Sequence, residues 1–292
     1  MKKYSVDLHM HSTYSDGSKK PLELLQLSSD IGLTTIALTD HDEIAGSKEL
    51  IYNNNTDLTI YSGVEFTVQV PKGRMHILGY NIDLENKKIN ERIKTIKEDT
   101  IYNIMLYIEV LRHDFGIILP EKELLSILSK VGNVGRPHIA ALLVKHGYCK
   151  EIEEAFQKYL NFAYEKVRKR KRGLSKEECV DLILSADGIV SLAHPSSLKL
   201  DDSELDKEVA YLKSLGMQCI EVIHINNSND QRKYYEELAK KYSLLISGGT
   251  DFHGYEVKPD VSLGSGRNGN VEIHENTLTL TKNIKSRYAK NR

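Results

Sequence analysis

The sequence predicts an α/β barrel interrupted by a block of helices. Three observations carry this expectation. Strand-like and helix-like runs alternate over residues 4–65 and again over 175–247. Between them, from Ile101 to Arg172, no strand signal of comparable strength occurs. Seven histidines and carboxylates (His9, His11, His41, Glu65, His194, Asp251 and His253) end short apolar runs, where strands should stop. In a barrel of parallel strands, groups at the strand ends converge on one ring.

The elements follow in order. Tyr4–Leu8 is a short apolar strand, and the segment from Pro21 to Ile31 carries leucines at helical spacing, with Pro21 suited to a first turn. Thr34–Leu38 is a β-branched strand, Gly46–Tyr52 a short helix, and Leu58–Val64 a strand ending at Glu65. This βαβαβ order implies a parallel sheet. Glu65–Val70 and Met75–Tyr80 flank a turn at 71–74 and read as a hairpin with His76 on its second strand. A long helix is expected from Ile89 to Arg112, then helices over Pro120–Lys130, Pro137–Lys145 and Glu151–Leu160. Alternation resumes with a helix at Ser175–Ala186, where Ser175 is the N-cap and Glu178 sits at N3. Strands at Gly188–Ala193, Met217–Ile223 and Leu244–Ser247 are separated by helices at Ser203–Leu215 and Asp230–Tyr242. The last forty residues show turns and some β-like alternation. The expected domains are therefore a barrel in two parts, 1–98 and 173–292, around a helical insertion at 99–172.

Bulk properties exclude several classes. The 292 residues suffice for one barrel or two domains, and 40% hydrophobic with 28% charged content is that of a soluble globular protein. A net charge of −1 gives no global field for a polyanion or a membrane. No apolar leader or membrane-length run is evident. Cys149, Cys179 and Cys219 are scattered and form no C-x-x-C pair. They read as reduced thiols of a cytoplasmic protein. Nothing in the sequence calls for an obligate protein partner.

Imidazole and carboxylate are ligands for hard and borderline cations. In His9-x-His11 two imidazoles share one face of an extended strand, and Asp251-x-His253 repeats the spacing. Each motif is weak alone. Their recurrence at strand ends of one α/β region, joined by Asp16 and His76, points to a metal-dependent hydrolase. Gly135-Arg136-Pro137-His138 opens a helix, where backbone N–H groups and a bidentate guanidinium suit a phosphate. Arg136 and His138 are thus candidate substrate-binding residues, provided the insertion folds over the metal site. Six cations among residues 165–172 form either a solvated connector or a local guide for a nucleotide or short RNA. No phosphate-binding G-x-x-x-x-G-K-[ST] loop and no G-x-S-x-G elbow is present.

At His9-x-His11, Ser15-Asp16-Gly17, Thr39-Asp40-His41-Asp42, Gly63-x-Glu65, His76-x-x-Gly79, Ala193-His194-Pro195 and Thr250-Asp251-x-His253 the chain resembles the polymerase-and-histidinol-phosphatase (PHP) family. Its middle, with Gly135-Arg136-Pro137-His138 and Phe156-x-x-Tyr159-Leu160, resembles the insertion of a stand-alone branch. That branch includes nucleoside 3′,5′-bisphosphate phosphatases and 5′-3′ exoribonucleases of the RNase AM type. The resemblance implies a distorted (β/α)7 barrel with two or three divalent ions, Mn, Zn or Fe, with Mg possible. It places one ion on His9, His11, Glu65 and Asp251. A second lies on Glu65, His76 and His194, and a third on Asp16, His41 and His253. Asp16 stands where some members carry His, which tilts the third site toward harder ions. Asp40 or His253 would position protons. The expected activity is hydrolysis of nucleotide phosphate monoesters, 3′,5′-bisphosphates above all, on a phosphorylated small molecule, nucleotide or short RNA. The alternatives are a 5′-3′ exoribonuclease, a histidinol-phosphate phosphatase and a non-catalytic metal-stabilised scaffold.

Overall fold

A computed structural model describes residues 5–128, 135–167, 170, 172–274 and 277–289. Two compact units divide the chain: Met1–Glu91 with Leu174–Arg292, and Arg92–Gly173.

The first unit is a seven-stranded barrel. Its strands are β1 (Val6–Asp7), β2 (Thr35–Leu38), β3 (Thr59–Val68), β4 (Met75–Tyr80), β5 (Ile189–Leu192), β6 (Cys219–Ile223) and β7 (Leu245–Gly248), neighbours in that order. All pairs are parallel except β3–β4 and β4–β5, so β4 alone runs backward. The ring closes where Leu8 N–H donates to Gly248 O at 3.2 Å and Met10 bridges Phe252 in parallel. Parallel neighbours need helical crossovers. They are α1 (Pro21–Asp30), α2 (Ala45–Tyr52), and, further on, α9 (Asp202–Leu215) and α10 (Asn229–Lys241), while α8 (Lys176–Ser185) leads into β5, whose neighbour β4 is antiparallel. Strands β2, β5 and β6 are buried along their whole length, as strands covered on both faces are. Side-chain caps fix where the later helices begin. Ser175 accepts from Glu178 N–H at 3.1 Å, and Asp201–Glu204 and Ser228–Gln231 form reciprocal capping boxes. Each such cap contributes about 1 kcal/mol.

Two expectations are corrected here. The strand read as ending at Glu65 and the next read from Glu65 are one strand, β3, continuous to Val68. Pairing with β4 runs unbroken from Gly63 to Val68, with Val64, Phe66 and Val68 buried. The charge of Glu65 does not break the ladder, because its partners lie at the barrel's centre. The tail's β-like alternation yields no strand among the described residues. Val271, Ile273 and Leu280 instead pack singly, with one short helix, α11 (Thr279–Asn283), while Ile273 O accepts from the N–H groups of Ser5 and Val6.

The second unit contains most of α3 (Lys87–Phe115), then α4 (Glu121–Leu128), α5 (Arg136–Lys145), α6 (Ile152–Ala155), a π-helical turn (Phe156–Leu160) and α7 (Asn161–Val167). Its own core includes Tyr107, Leu111, Ile139, Leu143, Leu160 and Ala163. No strand occurs among its described residues. No described helix is long and apolar enough to cross a membrane.

Candidate metal centre

Glu65 lies at the centre of the barrel's functional end. Five imidazole nitrogens surround its buried carboxylate. His9 Nε2, His11 Nε2 and His41 Nδ1 lie 3.2 Å from Oε2, and His76 Nδ1 and His194 Nε2 lie 2.9 Å from Oε1. Asp251 Oδ1 adds a second carboxylate, 3.2 Å from His11 Nε2 and 3.6 Å from His9 Nε2. Asp16, 41% exposed, stands 3.3 Å from His253 Nε2, 3.6 Å from His11 Nδ1 and 3.8 Å from His41 Nε2. All nine residues expected to ligate metal therefore meet in one cluster.

The backbone is shaped to bring them there. His9 and His11 follow the short β1, and their chain stays extended: His11 N–H donates to Phe252 O at 2.8 Å. Gly249 passes so close that a Cβ would meet the backbone nitrogen and Cβ of His9 at 2.4 Å. His194 and Asp251 follow β5 and the β7 turn with φ of 25° and 52°, a region that costs L-residues free energy and recurs at functional sites. The buried Asp7 holds the second of these turns, accepting from Thr250 N, Thr250 Oγ1 and Gly264 N.

Hydrogen bonds fix several ring tautomers. His9 Nδ1–H donates to Glu221 Oε1 at 2.8 Å. Ser197 Oγ–H donates to Arg74 O, so its lone pair accepts from His194 Nδ1–H at 2.9 Å. His253 Nδ1–H donates to Asp251 O at 2.8 Å. Each ring thereby turns Nε2 toward the cluster as the nitrogen left for a cation, the arrangement that second partners impose on metal-binding histidines. His11 Nε2 and His41 Nδ1 are buried without a hydrogen-bond partner. Buried polar atoms are normally satisfied, and orphaned imidazole nitrogens facing carboxylates fit a cation that links them. Four combinations, His11–Asp16–His41–His253, His9–His11–Asp251, His9–Glu65–His194 and His41–Glu65–His76, each bring their ligand atoms within 4.8 Å of one another.

The electrostatics agree. Burial opposes charge on Glu65, yet His41, His9 and His76 hold its carboxyl well below the usual range. Burial likewise opposes charge on His11, but Asp251 and Glu65 raise it to about 10, while burial pushes His41 down to about 3. Protons thus occupy parts of a centre whose carboxylates need positive charge.

The remaining candidates separate. Asp40 is buried, and its carboxylate accepts from Ser12 N (2.7 Å), Ser12 Oγ (2.7 Å) and Ser15 Oγ (2.6 Å), which orders the turn leading to Asp16. Burial pushes its pKa up. Arg136 and His138 belong to the helical unit. The Arg136 guanidinium lies 4.8 Å from the Tyr164 ring centroid and 5.4 Å from that of Phe156, with no ion pair among the described residues. His138 Nδ1 accepts from Gly135 N–H at 3.2 Å. Of the basic run, Arg168, Lys169 and Lys171 lie outside the described residues. Lys166 pairs with Asp114, Arg170 with Glu109, and Arg172 lies over Tyr102.

Sequence reasoning missed Glu221, His224 and Ser197. Glu221 is a lone carboxylate inside the buried strand Cys219–Ile223, and a buried charge must be paired; that was its signal. His224 directly follows the same strand. A cleft of about 620 Å³ opens over the cluster, lined among others by His41, His76, His194, His224, His253 and Lys258.

Comparison with known proteins agrees with this centre. The PHP domain family matches residues 7–254. The 5′-3′ exoribonuclease Rnm of Escherichia coli K12 is 30% identical over 267 residues, 88% of this chain and 87% of its own. A 3′,5′-nucleoside bisphosphate phosphatase of Chromobacterium violaceum is 27% identical over 250 residues, covering 85% and 87%. The crystal structure of a Bifidobacterium adolescentis protein superposes with a TM-score of 0.71 at 26% identity, covering 92% and 93%. The family match runs through every ligand candidate from His9 to His253, and the barrel gathers those groups around Glu65; the chain belongs to the PHP family and is a metal-dependent phosphoesterase.

Proposed function

We propose that this enzyme hydrolyses phosphate monoesters of nucleotides, with nucleoside 3′,5′-bisphosphates as its preferred substrates. The observation that carries the phosphoesterase centre is Glu65 with five imidazole nitrogens within 3.2 Å. The similarity to the C. violaceum phosphatase supports the bisphosphate. So does Arg136, held by two aromatic faces with its hydrogen-bonding edge unspent among the described residues, at the N-terminus of α5. Arg136 and His138 would grip the second phosphate.

We assign one ion to His9, His11, Glu65 and Asp251, a second to Glu65, His76 and His194, and a third to Asp16, His41 and His253. Manganese, zinc or iron suits this donor set, and the Asp16 carboxylate, where an imidazole would be softer, admits magnesium at the third position. When bound, the ions supply Lewis-acid charge to phosphoryl oxygens and acidify water. The chain's own groups hold the geometry. Glu221 and Ser197 lock His9 and His194, and Asp40 locks the turn before Asp16. Lys258 Nζ donates to Asp251 Oδ2 at 2.8 Å. Of the two groups considered for handling protons, His253 lines the cleft and is the one we retain; with Nδ1–H given to Asp251 O, it could do so only through Nε2 while the third ion is absent. Arg74 and Lys199, also on the cleft wall, draw anionic esters inward. The three buried, unpaired thiols support a cytoplasmic setting.

The deciding assay is phosphate release from adenosine 3′,5′-bisphosphate, beside a 5′-phosphorylated RNA trinucleotide, in Mn²⁺ with an Asp251→Ala control. Fast release from the bisphosphate, lost in the control, is the expected result. Stepwise release of mononucleotides from the trinucleotide with silence on the bisphosphate would replace the proposal with 5′-3′ exonucleolysis, the reading that the E. coli relative favours.

A further inference from the structure

His224 stands among the cation-binding groups but is wired the opposite way. His9, His194 and His253 each give away the hydrogen on Nδ1 and turn Nε2 to the carboxylates of the cluster. His224 Nδ1 lies 3.2 Å from the backbone N–H of Asn226, a group that only donates. Nδ1 is therefore bare, and in the neutral ring the hydrogen sits on Nε2. That nitrogen is buried and has no hydrogen-bond partner. It lies 3.6 Å from Asp251 Oδ2, beyond hydrogen-bond reach. The same Asp251 oxygen already accepts from Lys258 at 2.8 Å. The ring lines the cleft, within 5.2 Å of the His194 ring and 6.0 Å of the His9 ring, centroid to centroid.

A fourth cation site on His9, Glu221 and His224 is the obvious competitor, since their ligand atoms lie within 4.8 Å of one another. The hydrogen-bond inventory argues against it. Both oxygens of Glu221 are taken, one by His9 Nδ1–H at 2.8 Å and the other by His194 N–H at 2.6 Å. The His9 nitrogen on that side carries a hydrogen, as does His224 Nε2. Two N–H groups and a spent carboxylate do not coordinate a cation. What the place lacks is an acceptor, and a buried donor without one is costly.

We propose that His224 is a catalytic residue of another kind: its Nε2–H binds a non-bridging oxygen of the phosphoryl group undergoing hydrolysis. The proposal rests on the phosphoesterase reading and deepens it. Directed N–H donors that meet charge developing on a substrate oxygen are a major source of rate in such sites.

The test compares wild type, His224→Ala and His224→Gln, each loaded with zinc. Glutamine returns an N–H near the place of Nε2. We expect all three to hold the same number of zinc ions by mass spectrometry of the metal. His224→Ala should lose roughly a hundredfold in kcat/KM and bind inorganic phosphate more weakly, and His224→Gln should recover part of both. Long-range proton–nitrogen correlation in zinc-loaded wild type should show the His224 hydrogen on Nε2. Loss of zinc in both variants, unchanged phosphate affinity and turnover in both, or a hydrogen on Nδ1 would each overturn the proposal. If wild type hydrolysed no phosphate ester, the enzymatic reading would fall separately, and the tautomer and the phosphate affinity would still decide His224.

Discussion

In the barrel, a buried carboxylate has five imidazole nitrogens within 3.2 Å, whereas the helical unit offers Arg136 two aromatic faces and an otherwise apolar core. The barrel buries groups whose desolvation is expensive and recovers the cost only with a countercharge at the centre. Among its described residues the helical unit buries almost nothing that needs one. Chemistry built from costly burial can be recognised from structure alone. A stacked arginine at a helix start leaves its purpose to the ligand.

Perturbing the barrel's centre should have the largest effect. Glu65→Gln is expected to reduce phosphate release below detection and to lower bound metal, measured together on purified protein. Retention of full metal and activity would refute the central place given to Glu65. Glu221→Gln acts one step removed. His9 keeps its ring but exchanges a charged acceptor for a neutral one, so metal affinity should drop roughly ten- to a hundredfold in competition with a chelator. An unchanged affinity would mean that Glu221 serves packing alone.

Arg136→Ala sharpens the contrast from the other side. Loss of a charge-assisted phosphate contact should lower kcat/KM for a 3′,5′-bisphosphate roughly tenfold or more, and much less for p-nitrophenyl phosphate. Equal losses on both substrates would remove Arg136 from second-phosphate recognition.

The smallest effect is a pH dependence of melting in the metal-free protein. His11, raised to about 10 in the fold by Asp251 and Glu65 against burial, stabilises the metal-free barrel fully below the ordinary histidine pKa of about 6.5. That contribution is lost as pH climbs toward 10. Burial pushes His41 down to about 3, so its penalty for protonation appears as pH falls below about 6.5. The Tm of chelated protein should therefore pass through a maximum near neutrality. A Tm that does not fall between pH 7 and 10 would contradict the His11 charge state.

How much was legible follows the same division. His9, His11, His41, His194, Asp251 and His253 were found because cation-binding residue types cluster beside strand-like runs, and the structure gathers them. Glu65 was found for a partly wrong reason, since β3 continues past it. Glu221 signalled itself only as a charge inside a buried strand, since its partner His9 lies 212 residues away. Ser197 and the tautomer of His224 were not legible, because turn geometry, not spacing, brings Ser197 to His194 and Asn226 N–H to His224. The π-helical turn after α6 was likewise invisible, as Phe156–Leu160 reads like any helical run. The tail misled because apolar residues that pack singly alternate as strand residues do.

The seam between β1 and β7 has a further consequence for synthesis. His9 and His11 leave the ribosome early, but Asp251 and His253 are translated more than two hundred residues later. At roughly 5–20 residues per second, that interval is on the order of ten seconds or more. For the last part of it, once residue 173 has emerged, the helical unit can already be folding, while the centre lacks two of its groups and the ring lacks its last strand. Docking of β7, through the Leu8–Gly248 bond and the Met10–Phe252 bridge, completes both at once. Full cation occupancy thus marks a chain that has been made through His253.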